Sequence, residues 1–174
     1  ILLEYAGGPE AVEKYVRGLG IENTFISASE KTMHDRIENQ YLNRSTPTAT
    51  ARLIETFFEN RLFASKYKKF LIRIMTETST GQDKLKSLLP PDCTVGHKTG
   101  SSDRTSTGVK IADNDAGFVL TPDGKRYYIA VFVSDSQEDD PTNASIIARI
   151  SAIVYDFMIR PTDPNRPTLC RPES

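Results

Sequence analysis

The sequence has no tryptophan, two cysteines, two histidines and a formal net charge of −1. The cysteines, Cys93 and Cys170, form neither a CxxC pair nor a metal-binding spacing, and no carboxylate arrangement completes a zinc site around the histidines. We therefore expect neither a metal nor a cofactor. A charge so close to zero offers no broad basic surface, which excludes nucleic acid as the expected partner and leaves a small-molecule substrate.

Long apolar runs and an initiator methionine are also lacking. We find no run of 18 apolar residues, so no segment is expected to span a membrane, and we find no signal peptide. The chain opens at Ile1 with an apolar stretch that ends at Gly7-Gly8, as a helix C-cap does. From this opening we expect the chain to be part of a longer protein.

What is present is the composition of an ordinary folded domain, with 38% hydrophobic and 26% charged residues in a length of 174. We assign residues 1–160 to one domain. The remaining residues, 161–174, contain four prolines and little to bury, so we expect a disordered tail there.

Helical patterns fill the first half of the chain and its last apolar stretch. Helix starts are predicted at Pro9, Pro47 and Ser65, and a final amphipathic helix is predicted from 142 to about 158. The side chains expected to face inward on the last two helices are Tyr67, Phe70, Leu71, Ile74, Met75, Ile146, Ile147, Ile150, Ile153, Val154 and Phe157. Residues 23–44 are polar without a sustained period and are predicted to be a long loop, which in a compact domain is commonly functional.

Three strands are predicted after these helices. They cover residues 94–99, 115–121 and 125–134, and Pro122-Asp123-Gly124 supplies hairpin turn chemistry between the last two. Residues 127–133 are apolar on both faces, so we expect the third strand to be central and covered on both sides. The resulting fold class is α+β, with helices packed on an antiparallel sheet.

The first of these strands ends in Lys98, Thr99, Gly100 and Ser101. This end combines a cation, a hydroxyl donor and a glycine that permits close backbone approach, and the next N–H can point at a developing oxyanion. Such a set suits an anionic substrate group beside a reacting carbonyl. Common residues also occur together by chance, and the alternative is an ordinary solvated strand end.

Ordered matches along about the first 160 residues place this strand end in a wider pattern. They are Gly7-Gly8-Pro9, Thr46-Pro47, Thr80-Gly81, Leu89-Pro90, Val95-Gly96-His97-Lys98-Thr99-Gly100 and Asn114-Asp115. In these matches the chain resembles the class A serine β-lactamases, whose motifs are S-x-x-K, S-D-N and K-T-G with a loop glutamate. His97 and residues 112–117 are similar to the extended-spectrum and cephalosporinase branch of Bacteroides-type bacteria.

The resemblance implies a β-lactamase/penicillin-binding transpeptidase-like fold, N-terminally truncated, with three of five strands present. It implies that Glu30 is the general base for deacylation and that His34 positions the water. The substrate-binding residues that it implies are Lys98, Thr99, Gly100 and Ser101, the last also giving an oxyanion N–H. Asn43 and Ala28 stand where the family has the aspartate and arginine that close this loop, so the loop must be held otherwise.

The S-x-x-K serine and the S-D-N segment of the family lie upstream of Gly7 and have no counterpart here. One match to S-x-x-K exists, Ser65-Lys66-Tyr67-Lys68, but it follows Glu30 instead of preceding it, and we reject it as the nucleophile. The resemblance implies β-lactam hydrolysis through an acyl-serine intermediate, in a monomeric, periplasmic or secreted parent protein that confers antibiotic resistance. This chain alone is expected to be inactive.

Two alternatives stay open. A D,D-peptidase or other penicillin-binding protein shares KTG on a similar fold but lacks the loop glutamate, so Glu30 weighs against it. A non-catalytic ligand-binding or interaction module would use the same strand end without chemistry. Upstream S-x-x-K and S-D-N motifs would favour the enzyme, and a start codon close to Ile1 would favour the module.

Overall fold

The computed structural model describes residues 2–59 and 62–159, and all elements named below lie within them. The α-helices are α1 (Leu2–Tyr5), α2 (Pro9–Gly18), α3 (Glu30–Asp35), α4 (Pro47–Glu59), α5 (Ser65–Thr76) and α6 (Asp140–Ile159). The strands are β1 (Thr24–Phe25), β2 (Arg44–Ser45), β3 (Thr94–Ser101), β4 (Lys110–Leu120) and β5 (Arg126–Ser136), and a 3-10 helix covers Ile37–Tyr41. Helices packed on an antiparallel sheet confirm the predicted α+β class.

The strands β3, β4 and β5 form one antiparallel sheet in that order. Thr99 of the predicted substrate edge pairs with Asp115 of β4. The predicted hairpin joins β4 to β5, and Gly124 there has a φ of 84°, which glycine adopts without strain. β4 begins at Lys110 and not at residue 115 as predicted, because its polar first half becomes a strand only through pairing with β3 and β5.

The strand β5 lies at one edge of this sheet. Its apolar faces predict a central strand, which is wrong for the described chain, whereas the truncation that the resemblance implies predicts an apolar edge at this strand. Both of its apolar faces are nevertheless packed. Ile129 and Val131 are buried in the same cluster as Ile147 of α6, and the Tyr128 ring contacts Phe58 of α4. Apolar residues on both faces of a strand indicate that elements pack above and below it. They do not indicate the position of the strand in the sheet, which depends on the strands beside it.

The last helix, α6, packs a face of mostly small residues on the sheet. Its buried residues are Asn143, Ala144, Ile147, Ala148 and Ser151. Ile147 is buried as predicted, but Ile153 is 68% exposed. The predicted inward direction is also wrong for Ile146, Ile150 and Phe157. The apolar pattern predicted that the face with the larger side chains is buried. The face with the smaller side chains is buried instead, because small side chains allow the helix to approach the sheet more closely.

By length and composition alone, α6 is apolar enough to cross a membrane, with a mean hydropathy of 1.2. This differs from the prediction that no segment qualifies. In the structure the helix contacts β4 and β5 and contributes Ile147 to the hydrophobic core. One face of the helix is thus packed on the sheet, and 28% of the apolar window is buried within the described residues.

The helix α5 also exposes apolar side chains that are predicted to face inward. Tyr67 is 57% exposed, Phe70 is 54% exposed and Ile74 is 43% exposed, so the prediction is wrong for these three. Leu71 and Met75 line an apolar groove of about 230 Å³ together with residues of α2 and α4. The helical period identified the apolar side of α5, but within the described chain only part of that side has a neighbour.

The segment 23–44, predicted to be a long loop, contains regular structure. The short strands β1 and β2 pair near its two ends. The helix α3 lies between them, and the hydroxyl of its N-cap Ser29 accepts a hydrogen bond from the Thr32 amide at 3.1 Å. A helix of six residues is too short to show a helical period in a sequence. The predicted disordered tail, 161–174, lies outside the described residues.

Candidate active site

The strand β3 presents the predicted substrate edge at its C-terminal end. Lys98 and Gly100 are exposed, and Thr99 is half-buried. The Lys98 ammonium donates to the Thr99 carbonyl, and no carboxylate within residues 2–59 or 62–159 pairs with it. Lys84 and Lys110, in contrast, both have carboxylate partners. Lys98 is therefore a cation that is open to an anionic ligand.

The turn that contains Thr80 and Gly81 forms the other wall of this edge. The hydroxyl oxygens of Thr80 and Thr99 lie 3.3 Å apart. Gly81 has a φ of 64°, and a Cβ on it would lie 2.3 Å from Thr99 Cγ2. No larger residue fits there without displacing the threonine. Glycine is thus required for the turn to approach β3 this closely.

A cavity of about 310 Å³ opens beside the strand end. It brings Lys98 and Thr99 together with apolar side chains from neighbouring elements, among them Ile54, Met75 and Phe132. A cation and a hydroxyl above an apolar floor can orient a ligand that has an anionic group and an apolar part.

Behind the strand end lies a buried polar network. The Lys84 ammonium donates to the Asp113 carboxylate, and the two side chains are 10% and 3% exposed. His97 Nδ1 lies 2.8 Å from Asp115 Oδ2, and both residues are buried. Sequence reasoning did not single out Lys84 or Asp113. The signal that could have found them is alternation, which places Asp113 and Asp115 on the same face of β4 as buried Val119.

Glu30 and His34, the predicted general base and its partner, lie together on α3. His34 Nε2 is 3.2 Å from Glu30 Oε1, and the side chains are 62% and 80% exposed. His34 Nδ1 also lies 3.8 Å from Asp103 Oδ2. Within the described chain, no hydrogen bond or ion pair joins Glu30 to the strand end 98–101. The structure therefore brings the two α3 residues together in solvent but does not bring Glu30 into contact with the substrate edge.

Gln40 connects the segment that carries Glu30 to the loop after β3. Its side-chain N–H donates to Asp103 Oδ2 at 3.0 Å, and its side-chain oxygen accepts from the Asp103 backbone N–H at 3.1 Å. The neighbouring Tyr41 hydroxyl donates to Asp135 near the end of β5. Sequence reasoning missed Gln40, because a contact between residues 63 positions apart leaves no local pattern.

Asn43 shows how the loop is held without an aspartate–arginine pair. Its Oδ1 accepts the backbone N–H groups of Ser27 and Ala28, each at 2.9 Å, and its Nδ2 donates to the Ala28 carbonyl at 2.9 Å. Nδ2 also donates to Met33 Sδ at 3.3 Å, so one neutral amide closes the segment with three hydrogen bonds to the backbone and one to a side chain. The Glu13 carboxylate adds a further tie by accepting the Ile26 N–H at 2.7 Å, and this bond lowers the pKa of the Glu13 carboxyl.

The rejected S-x-x-K match lies at the start of α5, where Ser65 is the first helical residue. The ammonium of Lys68 donates to the Phe58 carbonyl of α4. This lysine is thus engaged in linking two helices, which agrees with rejecting Ser65 as a nucleophile that Lys68 activates.

Cys93 takes no part in the candidate site. Cys93 is half-buried against the core, and burial raises the pKa of its thiol. Cys170 lies outside the described residues. Within the part of the chain that the structure describes, no group of three or more His, Cys, Asp and Glu side chains could hold a metal ion.

Comparison with known proteins gives a family match over most of the chain. The family model of the β-lactamase enzyme family matches residues 1–158. A β-lactamase of Bacteroides uniformis is 53% identical over 159 residues, and the extended-spectrum β-lactamase PER-1 of Pseudomonas aeruginosa is 37% identical over 160 residues. These alignments cover 91% and 92% of this chain but 54% and 52% of the relatives. The chain thus spans about half the length of the curated relatives it matches.

Solved structures give the same result. A class A β-lactamase from Bacteroides cellulosilyticus has a TM-score of 0.86 at 56% identity, over 90% of this chain and 56% of that chain. The TLA-1 extended spectrum β-lactamase has a TM-score of 0.89 at 40% identity, over 91% and 58%. PBP-A, solved as an acyl-enzyme complex with penicillin-G, has a TM-score of 0.74 at 28% identity, over 90% and 53%. From the fold, the family match and these likenesses, we conclude that the chain belongs to the β-lactamase enzyme family, in class A.

Proposed function

We propose that this chain is the C-terminal part of a class A β-lactamase and supplies the substrate edge for β-lactam hydrolysis through an acyl-serine intermediate. The observation that carries the proposal is the strand end of β3. There an exposed Lys98, without a carboxylate partner among the described residues, lines the same cavity as Thr99, and the hydroxyl oxygens of Thr80 and Thr99 lie 3.3 Å apart. A cation next to hydroxyl donors is the arrangement that an anionic group beside a reacting amide carbonyl requires.

The residues of the strand end have separate roles in this proposal. Lys98 and Thr99 bind the carboxylate of the β-lactam. Gly100 lets the substrate approach the backbone, and the space beside it is open, since a Cβ there would find its nearest neighbour 3.9 Å away. The Ser101 N–H stabilises the oxyanion that forms when the amide carbonyl is attacked.

Glu30 and His34 act on the water in this proposal. The water oxygen attacks the acyl-serine ester, its proton passes to the Glu30 carboxylate, and the serine oxygen leaves and regains a proton. The hydrogen bond from His34 at 3.2 Å orients that carboxylate. Both side chains are exposed in this chain, so water reaches them freely.

Uncovered apolar surfaces support the proposal that this chain is part of a longer protein. Tyr67 and Phe70 of α5 and Ile153 of α6 are more than half exposed. Among the described residues the apolar strand β5 is paired on one side only, and such an edge invites pairing with another chain. We expect the isolated chain to associate and the longer protein to be a monomer in the periplasm or outside the cell. A sharp monomer of the isolated chain in sedimentation velocity, with a cooperative melt, would contradict the first expectation.

Nitrocefin hydrolysis tests the proposed activity. The purified 174-residue chain is expected to give no turnover, and the protein translated from the coding sequence extended upstream is expected to hydrolyse the substrate. In the extended protein, Lys98→Ala should lower kcat/KM by about ten- to a hundredfold, mainly through KM, because one charge-assisted hydrogen bond to the substrate is lost. Lys69→Ala, an exposed lysine of α5, is the matched control and should leave kcat/KM unchanged.

Two results would overturn parts of this proposal. Turnover by the isolated chain that is lost on Glu30→Gln would show that the chain does not need an upstream nucleophile. Turnover that survives Glu30→Gln but disappears on Ser65→Ala would identify Ser65 as the nucleophile.

A penicillin-binding protein is the second candidate, and the likeness to PBP-A favours it. The two functions differ in the rate at which the acyl-enzyme is hydrolysed. An acyl-enzyme of the extended protein that persists for hours would support the second candidate, whereas rapid turnover that requires Glu30 would support the first.

A further inference from the structure

The strand end of β3 is backed by a fully buried histidine–carboxylate pair. His97 is 1% exposed and Asp115 is 0% exposed. His97 Nδ1 lies 3.0 Å from one oxygen of the Asp115 carboxylate and 2.8 Å from the other. The second oxygen also accepts the Leu85 backbone N–H at 3.2 Å. The pair therefore ties β3, β4 and the turn 80–85 at one point.

The other ring nitrogen decides which form of His97 fits this place. His97 Nε2 is buried and has no hydrogen-bond partner within the described chain. An imidazolium, or the neutral ring protonated at Nε2, would leave a buried N–H without an acceptor. A neutral ring protonated at Nδ1 donates that N–H to Asp115 and leaves only a lone pair at Nε2. The geometry favours the last form.

Glycines on both sides allow the ring to lie this close to the backbone. Gly117 is opposite His97 in the sheet, and a Cβ on it would lie 2.1 Å from the Gly96 carbonyl oxygen. A Cβ on Gly81 would lie 3.4 Å from His97 Cε1 and 2.3 Å from Thr99 Cγ2. The ring and the Thr99 side chain therefore share one tightly packed face, next to the turn that carries Thr80.

We propose that His97 is a positioning residue for the substrate edge. As a neutral ring that donates from Nδ1 to Asp115, it holds β3 at a set distance from the turn 80–85. This distance determines how far apart the Thr80 and Thr99 hydroxyls lie and the position from which the Lys98 side chain projects out of β3. The identity of the ligand rests on the proposed function, whereas the positioning of the strand does not.

The first test is nuclear magnetic resonance of the ring nitrogens in the unmodified chain labelled with ¹⁵N. The expected result is one protonated nitrogen, Nδ1, and one unprotonated nitrogen, Nε2. The Nδ1 proton should exchange slowly with water because it is hydrogen-bonded to Asp115. An imidazolium, or a ring protonated at Nε2, would overturn the proposal. This measurement needs no variant, so it tests the protonation of His97 even if a substituted chain does not fold.

The second test compares two substitutions of His97. His97→Asn keeps an N–H close to the place of Nδ1, and His97→Leu removes the donor at similar size. Hydrogen exchange at the Lys98 and Gly100 amides, which face β4 in the sheet register, should become about tenfold faster in the leucine variant and return to near the original rate in the asparagine variant. Ser151→Ala, which removes a buried hydrogen bond to the Leu85 carbonyl, is the control and should leave these two amides unchanged.

Equal exchange rates in the two His97 variants would overturn the positioning role, because packing alone would then account for the site. Benzylpenicillin, added to the unmodified chain, tests the ligand separately. Shifts at Lys98 and Thr99 that are lost in His97→Leu and restored in His97→Asn support the full proposal. No shift in the unmodified chain, together with the predicted ring protonation and exchange rates, would reject β-lactam binding by the isolated chain and leave the positioning role standing.

Discussion

The two parts of the candidate site each contain a carboxylate paired with a nitrogen side chain, in opposite surroundings. Behind β3, the side chains of Lys84 and Asp113 are 10% and 3% exposed, whereas on α3 those of His34 and Glu30 are 62% and 80% exposed. A buried pair that loses one member leaves an uncompensated charge, but the members of an exposed pair are solvated with or without each other. The buried part is therefore suited to holding a position, and the exposed part is suited to exchanging a proton with water.

Removing the charge of Asp113 is expected to have the largest effect on stability. Asp113→Asn leaves the Lys84 ammonium buried without a counter-charge, and the free energy of unfolding should fall by about 3–5 kcal/mol. Urea denaturation followed by circular dichroism measures this loss. The double variant Lys84→Met/Asp113→Leu removes both charges and should recover most of it. A loss below about 1 kcal/mol for Asp113→Asn would mean that the buried pair behaves like an exposed one.

Gly81→Ala tests the close approach between the turn and β3. The added Cβ would lie 2.3 Å from Thr99 Cγ2 at a φ of 64°, and we expect a loss of about 2–4 kcal/mol from the contact and the strained backbone together. Gly124→Ala is the matched control, since its φ is 84° and nothing lies within 4 Å of the added Cβ. It should cost about 1 kcal/mol from backbone strain alone. Equal losses in the two variants would contradict a tight contact with Thr99.

Asn43→Ala should destabilise the exposed part alone. It removes three hydrogen bonds to the backbone and one to Met33 Sδ, so the free energy of opening the loop should fall by about 1–3 kcal/mol. Hydrogen exchange at the Ser27 and Ala28 amides measures this change, and the amides of β4 should not respond. Asn39→Ala, which removes one hydrogen bond to the Thr32 carbonyl, is the control and should have a smaller effect. A uniform acceleration across the sheet would show that the two parts are coupled.

Glu30→Gln should have the smallest effect on stability, within about 0.5 kcal/mol, because the pair that it breaks is exposed. Thermal unfolding of the two chains, compared at the same pH, measures the difference. A loss above about 1 kcal/mol would show that Glu30 supports the fold, and the contrast between the two parts of the site would then disappear.

Local chemistry made several elements predictable. Pro9 and Pro47 each begin a helix as expected, and the Thr46 hydroxyl caps α4 by accepting the Ala49 N–H at 3.1 Å. The hairpin at residues 122–124 also formed where its turn residues predicted it. These features depend on residues within a few positions of each other, so their signals are complete in a short stretch of sequence.

Predictions about partners over long distances were less successful. The apolar sides of α5 and α6 were recognised, but several of their side chains, including Ile153, are exposed in this chain. The clamp of Asn43 on Ala28 and the contact of Gln40 with Asp103 were missed. Such contacts depend on how separate elements meet in space, and no local period records that.

By itself, the sequence determined the α+β class, the strand end with Lys98 and Thr99, and the resemblance to class A β-lactamases, because periodicity and ordered motifs are local properties of the chain. Only the tertiary structure decided what surrounds those motifs. It buried His97 against Asp115 behind the substrate edge and left Glu30 in solvent. Burial is set by the packing of elements far apart in sequence, and it is burial that makes one pair of side chains a structural tie and leaves the other open to water.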